Sequence, residues 1–428
     1  MRPGPRLVSA VLLFLIVCYV VWDQAEQRAL AHDIEAIAAR GEPITVLAAT
    51  GADTPERHDA ARVYAAAAER FSAMPQELTF RLPRLDLDAT AQPPLDVAAL
   101  ERQYRPDAPA LQLIDQAAPL DFNGFGDVAP DAITSTMASL TSLAALRADF
   151  LSVHGRADEA AKLLVPCVRL WRTVSPFLRY QVSGRILGSI RILLHHGEPG
   201  AAALAELASA LATLPEDDEV AQQTARQRAR FIDSFDEPRR GLTDHLASRA
   251  IRPYLTRQRR QRLASYEDAL AIARDSWPRK FVRANALQAQ YAETWRRDSR
   301  QPTLLQRLIP AEGLGIMSLG TTASGLDLAA RRVLAATIAV ERYRRSHAGA
   351  LPSSLQSLVP AYLAAVPIDP FSGDPLTYKP DVDGYLLYSL DTNLRNDGGA
   401  LYGLGSRKQL MPRGGEARDL GIRVDVRK

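Results

Sequence analysis

A chain of 428 residues, 47% hydrophobic and 24% charged, is long enough for more than one core and lacks the composition of a disordered protein. A net charge of +3 is too small to imply a nucleic-acid partner. The two cysteines, Cys18 and Cys167, exclude a disulfide framework in the body, which must be held by its packing.

Residues 1–6 carry Arg2 and Arg6, and residues 7–22 then run without a charge to Trp22. This predicts a transmembrane anchor at 7–22 behind a cytoplasmic tail at 1–6, with Tyr19 and Trp22 at the interface. A cleaved signal peptide is the rival reading. Its small-x-small site, Ala29-Leu30-Ala31, lies beyond Glu26 and Arg28, far from the apolar run. A lipoprotein site at Cys18 is disfavoured because Val17 precedes it and apolar residues follow it. The positive-inside rule places the body outside the cytoplasm, in the periplasm if the membrane is the inner membrane of a bacterium.

Residues 23–300 read as a helical domain. Ala25 to Arg40 continues the anchor. Pro55 to Phe71 is a helix behind Thr54, and Pro75 to Gly126 is proline-rich and irregular, with a short helix over Val97 to Tyr104. Ala132 to His154 and Asp158 to Val174 flank a turn at Gly155-Arg156. Phe177 to His196 and Gly200 to Leu214 flank another at Gly197-Glu198-Pro199. The string from Leu146 to Trp171 resembles a tetratricopeptide-type helical hairpin, although the two turn glycines are further apart than the 34 residues usual for that repeat.

Further helices are expected over Glu219 to Phe235, Gln258 to Asp275 and Arg279 to Arg300. Residues 252–300 hold twelve Arg or Lys against five acids. Such an excess is either a solvated helical face or a contact for anionic lipid or an acidic partner. Residues 301–324, with Pro302, Pro310, Gly313, Gly315 and Gly320, read as a linker.

The chemistry of an enzyme is hard to find in these residues. There is no HExxH, GxSxG or phosphate-loop pattern. His195 and His196 are adjacent on a helix, so their rings diverge by about 100° and cannot chelate together.

Residues 325–428 carry the specific signal. Leu326 to His347 is a helix: Leu326, Ala330, Val333, Leu334, Thr337 and Ile338 form its apolar stripe, and Arg331 and Glu341 belong to its charged remainder. Gly349 stops it, and Ser353-Ser354 begins a short helix, Leu355 to Val359. Leu376 to Tyr378 and Tyr385 to Tyr388 are strands around an Asp383-Gly384 turn. Leu420, Ile422, Val424 and Val426 alternate with Gly421, Arg423, Asp425 and Arg427, which predicts a strand with one buried face.

The order of these pieces resembles the globular head of the major pseudopilin of type II secretion systems. The resemblance rests on Tyr343, His347-x-Gly349-x-Leu351-Pro352 and Pro367-x-Asp369-Pro370-Phe371. It continues through Gly373-x-Pro375, Tyr388-Ser389-Leu390, Asp397-Gly398-Gly399 and Asp419-Leu420-Gly421. It covers about a quarter of the chain. A pseudopilin begins with a basic leader, a glycine and a phenylalanine-led helix, and nothing of that kind stands at residues 1–22.

Asp391, Asn393, Asn396 and Asp397 crowd one loop. Oxygen ligands at such spacing suit Ca²⁺, and an Asx-rich turn capping itself is the alternative. The resemblance implies a calcium site there. Asp391, Asn393 and Asp397 would give side chains, Leu390 a carbonyl and Asp419 a ligand from the last strand.

The sequence thus predicts a mainly α protein: an N-terminal transmembrane helix, a helical-hairpin domain, and a small α+β pseudopilin-like domain with an antiparallel sheet. The expected role is a non-catalytic interaction or assembly protein, with protein partners and no nucleic acid, linked to type II secretion or pilus-like machinery. A divergent fibre subunit and an unrecognised enzyme in the helical domain are the alternatives.

Overall fold

The structure, a computed structural model, describes residues 5–50, 62, 63, 66, 69, 141, 144–171, 176–214, 220–235, 251–300, 316–401 and 419–426. The expected helix over 55–71 is covered only at four positions, and the expectations for 75–126 and for 301–315 lie outside the described residues. The protein is mainly helical, with one N-terminal apolar helix and a small three-stranded antiparallel sheet.

Two compact units are interleaved in sequence. The first comprises Met1–Ala52, Val220–Asp275 and Val282–Ser318; the second comprises Asp53–Glu219, Ser276–Phe281 and Leu319–Lys428. They are therefore not successive pieces, as a helical domain over 23–300 and an α+β domain over 325–428 would be.

In the first unit, α1 (Pro5–Ala39) is one unbroken helix. A short α2 (Val46–Thr50) follows. Helix α6 (Val220–Asp233) packs on α2 and on α7 (Arg252–Ala273), and α7 packs on α1. Leu30, Ile37, Ile232 and Leu263 form the small core of this unit. Helix α7 begins six residues before the expected Gln258 because Pro253 occupies its first turn, where a missing N–H costs nothing.

The second unit has the larger core. A helix over 144–153 turns at Gly155, whose φ of +73° suits glycine, into α3 (Ala157–Trp171). Helices α4 (Pro176–His196) and α5 (Ala201–Ala212) both pack on α3. Ala160 and Ala161 are fully buried, as a close helix approach requires. Helix α8 (Arg279–Arg300) starts in this unit and continues into the first.

Helix α9 (Ile316–Ser346) starts ten residues before the expected Leu326, so residues 316–324 are helix rather than linker. Gly325 has a packing role here. A Cβ on it would stand 2.9 Å from the ring of Trp277 and 3.1 Å from that of Phe371. The expected apolar stripe is buried from Ala330 to Ile338. Arg331 and Glu341, expected among the solvent-facing charges, are buried too. The reason is that α9 shares one core with α3, α4, α5 and the sheet.

Arg331 pairs with Asp327 at 3.0 Å. Glu341 accepts from Arg344 at 2.7 Å and from the Tyr385 hydroxyl at 3.0 Å. Burial, then the Glu341 charge, pushes the Tyr385 phenol well above its ordinary pKa.

The helix ends at Gly349, φ +89°, whose N–H returns to the Arg344 carbonyl at 2.9 Å. The next short helix is a 3₁₀ turn, Leu355–Leu358, and the Ser354 side chain makes no cap to it. The sheet order is β1 (Thr377–Pro380), β2 (Gly384–Ser389), β3 (Leu420–Asp425). Tyr385 faces Val424 and Leu387 faces Ile422 across the β2–β3 register. As the alternation predicts, Leu420, Ile422 and Val424 are buried while Arg423 is exposed.

Candidate functional site

Two places concentrate functional groups, one in each unit. The first is the junction where the apolar half of α1 becomes its polar half. Leu12, Leu13, Phe14, Leu15 and Ile16 each expose more than half of their surface, whereas Asp23 is buried. Among the described residues, the helix starting at Ser9 and ending at Ala39 is long and apolar enough to cross a membrane.

From Asp23 onward, α1 is docked along α7, and the two helices run in the same direction. Arg252 donates to both carboxylate oxygens of Asp23, from Nε at 2.8 Å. Gln27 donates to Thr256 at 3.0 Å. Arg260 reaches Asp33 at 2.8 Å and Glu26 at 3.1 Å. The hydrogen bonds that Arg252 donates to Asp23 outweigh burial and raise the Arg252 pKa; those that Arg260 donates to Asp33 and Glu26 do the same for Arg260.

At the far end, Arg228 is fully buried and donates to Glu42 and Glu267, each at 2.6 Å. Arg40 reaches Glu267 at 2.5 Å, and Arg274 reaches Glu42 at 2.8 Å. Burial pushes the Glu42 carboxyl up, but hydrogen bonds from Arg274, Arg228 and Arg40 outweigh it and hold its pKa at about 2. These pairs escape a sequence reading. Asp23, Gln27 and Asp33 match Arg252, Thr256 and Arg260 only once the helices are known to lie side by side.

The second place is the loop after β2. Asp369 anchors its start: Oδ1 accepts from the Phe371 amide at 2.9 Å and the Ser389 hydroxyl at 2.8 Å, and Oδ2 accepts from the Leu390 amide at 2.8 Å. The sequence presents Asp369 only as an Asp-Pro turn residue. Its burial beneath the loop is the new information.

Asp391 is buried in a left-handed conformation, φ +63°, and its carboxylate accepts from the Thr392 amide at 2.5 Å. Asn393 accepts from the Arg395 amide at 2.9 Å and donates to Asp397 at 2.8 Å. Asn396 accepts from the Gly398 amide at 3.0 Å and the Tyr388 hydroxyl at 2.9 Å. The buried Asp419 accepts from the Gly399 amide at 2.8 Å and the Asp397 amide at 3.4 Å. Burial, helped by the Asp397 charge, raises the Asp419 pKa against the pull of those amides.

Of the five residues expected as calcium ligands, Asn393 and Asp397 touch, and Asp397 meets Asp419 through its amide. Asp391 is turned to its own neighbour. No group of three or more His, Cys, Asp or Glu that could hold a metal is found among the described residues. Ca²⁺ takes six to eight oxygens, and here oxygens of Asp391, Asn393 and Asp419 already accept N–H groups of the loop. The hydrogen bonds within the loop are those of a self-capped turn.

His195 and His196 end α4 with rings edge to face, 4.7 Å apart, and His195 lies 3.9 Å from Asp425 of β3. Comparison of the chain with protein-family models, with curated proteins and with solved structures gives no match.

Proposed function

We propose that the chain is a single-pass protein of the bacterial inner membrane, with its body in the periplasm and a non-catalytic role in interaction or assembly. The observation that carries this reading is the division of α1. Its apolar turns are bare, while its polar turns are bound to α7 by Asp23, Glu26, Gln27 and Asp33. A long bare apolar helix face is costly in water and is satisfied by lipid. Leu30, inside the Ala29-Leu30-Ala31 sequence, is buried in the core with Ile37, Ile232 and Leu263. Cleavage there would detach Asp23 and Glu26 from their arginines, which favours an anchor that stays attached.

A long helix followed by three antiparallel strands agrees with the pseudopilin-like arrangement expected for residues 325–428. It supports a protein-binding head and a link to type II secretion or pilus-like machinery. The head shares its core with α3, α4 and α5, which favours an accessory component over a fibre subunit. The test is a periplasm-active reporter fused after Lys428 combined with crosslinking in membranes. Reporter activity and crosslinks to secretion or pilus components are expected; a reporter active only in the cytoplasm would overturn the topology.

A further inference from the structure

We infer that the start of α7 and the facing turn of α1 form an arginine collar that binds anionic phospholipid headgroups of the bilayer that α1 enters. The inference rests on the membrane reading above and adds a lipid class to it. The parallel register is fixed by Asp23 with Arg252 and by Gln27 with Thr256. Arg28 and Arg257, one residue beyond Gln27 and Thr256, stand at the same level on the two helices, and both are exposed. Asp23 is the first charge after the apolar run, so it marks the membrane surface. Five residues of helix raise Arg28 and Arg257 by about 7.5 Å above that level.

The headgroup layer on each side of a bilayer is about 5–8 Å deep. Arginine side chains on these turns therefore reach the phosphates, by the same bending that lets long basic side chains reach an interface. The height is also within about one Debye length at physiological salt. Across residues 23–33 and 252–262, six arginines meet the three carboxylates of Asp23, Glu26 and Asp33, a local excess of three positive charges. Two of the six, Arg259 and Arg262, lie over the rings of Phe235 and Phe231 at 4.5 and 4.7 Å. Arg252 and Arg260 hold the carboxylates of α1. Arg28 and Arg257 are left as the pair that defines the collar. Charge and continuity with the apolar span select an anionic lipid surface as the occupant.

The test uses the full chain reconstituted into bilayers of phosphatidylcholine mixed with phosphatidylglycerol, one lipid brominated at a time. Quenching of tryptophan fluorescence, assigned to Trp22 by its loss in Trp22→Phe, gives the relative binding of the two lipids. The wild type should prefer phosphatidylglycerol several-fold at low salt and lose that preference at high salt. Arg28→Gln with Arg257→Gln should lower it by up to about fivefold per arginine. Equal quenching by both lipids in the wild type, or an unchanged preference in the double variant, would overturn the collar and leave the anchor standing. Failure of the chain to enter either bilayer would overturn the membrane reading and the collar together.

Discussion

The indole N–H of Trp171 donates to Oδ1 of Asp327 at 2.6 Å, joining two buried side chains that stand 156 residues apart in the sequence. Asp327 also pairs with Arg331. The hydrogen bond ties the last turn of α3 to α9, so the hairpins and the C-terminal segment are parts of one core. Trp171→Phe should cost about 1–3 kcal/mol, the price of a buried acceptor left short of a donor. Asp327→Ala, which removes the carboxylate partner of the buried Arg331, should cost about 3–5 kcal/mol. Denaturant unfolding of the full chain in detergent measures both. Loss of the strands without loss of α3 in either variant, followed by hydrogen exchange, would contradict the single core.

Gly325 offers a second test of that core. Its missing Cβ leaves room for Trp277 and Phe371. Gly325→Ala should destabilise by about 1–3 kcal/mol through overpacking. Gly184, inside α4, has open space around it, and Gly184→Ala should stabilise by about 0.5–1 kcal/mol through helix propensity. Thermal midpoints moving in the same direction for the two variants would refute the packing role of Gly325.

The ion network around Arg228 predicts an acid dependence. The Glu42 pKa lies below its ordinary value of 4.5, at about 2, so its contribution is complete above pH 4.5 and is lost as pH falls towards 2. A shift of that size is worth on the order of 3 kcal/mol. Glu42→Gln should therefore be destabilised by roughly that amount at pH 7. Its stability should match the wild type near pH 2. Denaturation midpoints taken across pH 2–7 check the convergence; a constant offset would mean that Glu42 titrates normally.

The loop from Ser389 to Gly399 should be indifferent to calcium. Asp391, Asn393 and Asp419 already accept amides of the loop itself. Thermal unfolding of the full chain in detergent should give the same curve in millimolar Ca²⁺ and in chelator. A rise with Ca²⁺ that disappears in Asp397→Ala would restore the ligand set implied by the pseudopilin resemblance. By contrast, Asp369→Ala should destabilise the head by about 1–3 kcal/mol in either condition, since three donors lose their acceptor.

Local patterns were legible in the residues and long-range relationships were not. The uninterrupted apolar run gave the position of α1, and the alternation of Leu420, Ile422 and Val424 gave the buried face of β3. The start of α9 was hidden because Gly320 and Gly325 look like linker residues, and the rings of Trp277 and Phe371 explain why Gly325 belongs inside that helix. Arg331 and Glu341 look like solvent-facing charges until partners from distant segments surround them. In the same way, Asp369 reads as a turn residue, and no local pattern links it to Ser389 and Leu390. The crowding of Asp391, Asn393, Asn396 and Asp397 in one loop is legible as a local pattern, whereas the α1–α7 pairs depended on a helix register that periodicity does not encode.

The most direct measurement of the central claim is the intact mass of the protein extracted from membranes. An anchor continuous with the docked half of α1 predicts a chain that keeps residues 5–22, resists alkaline carbonate extraction and floats with lipid. A soluble chain beginning just after Ala31 would contradict it, because Asp23 and Glu26 would then be absent from the mature protein and Arg252 and Arg260 would lose those partners.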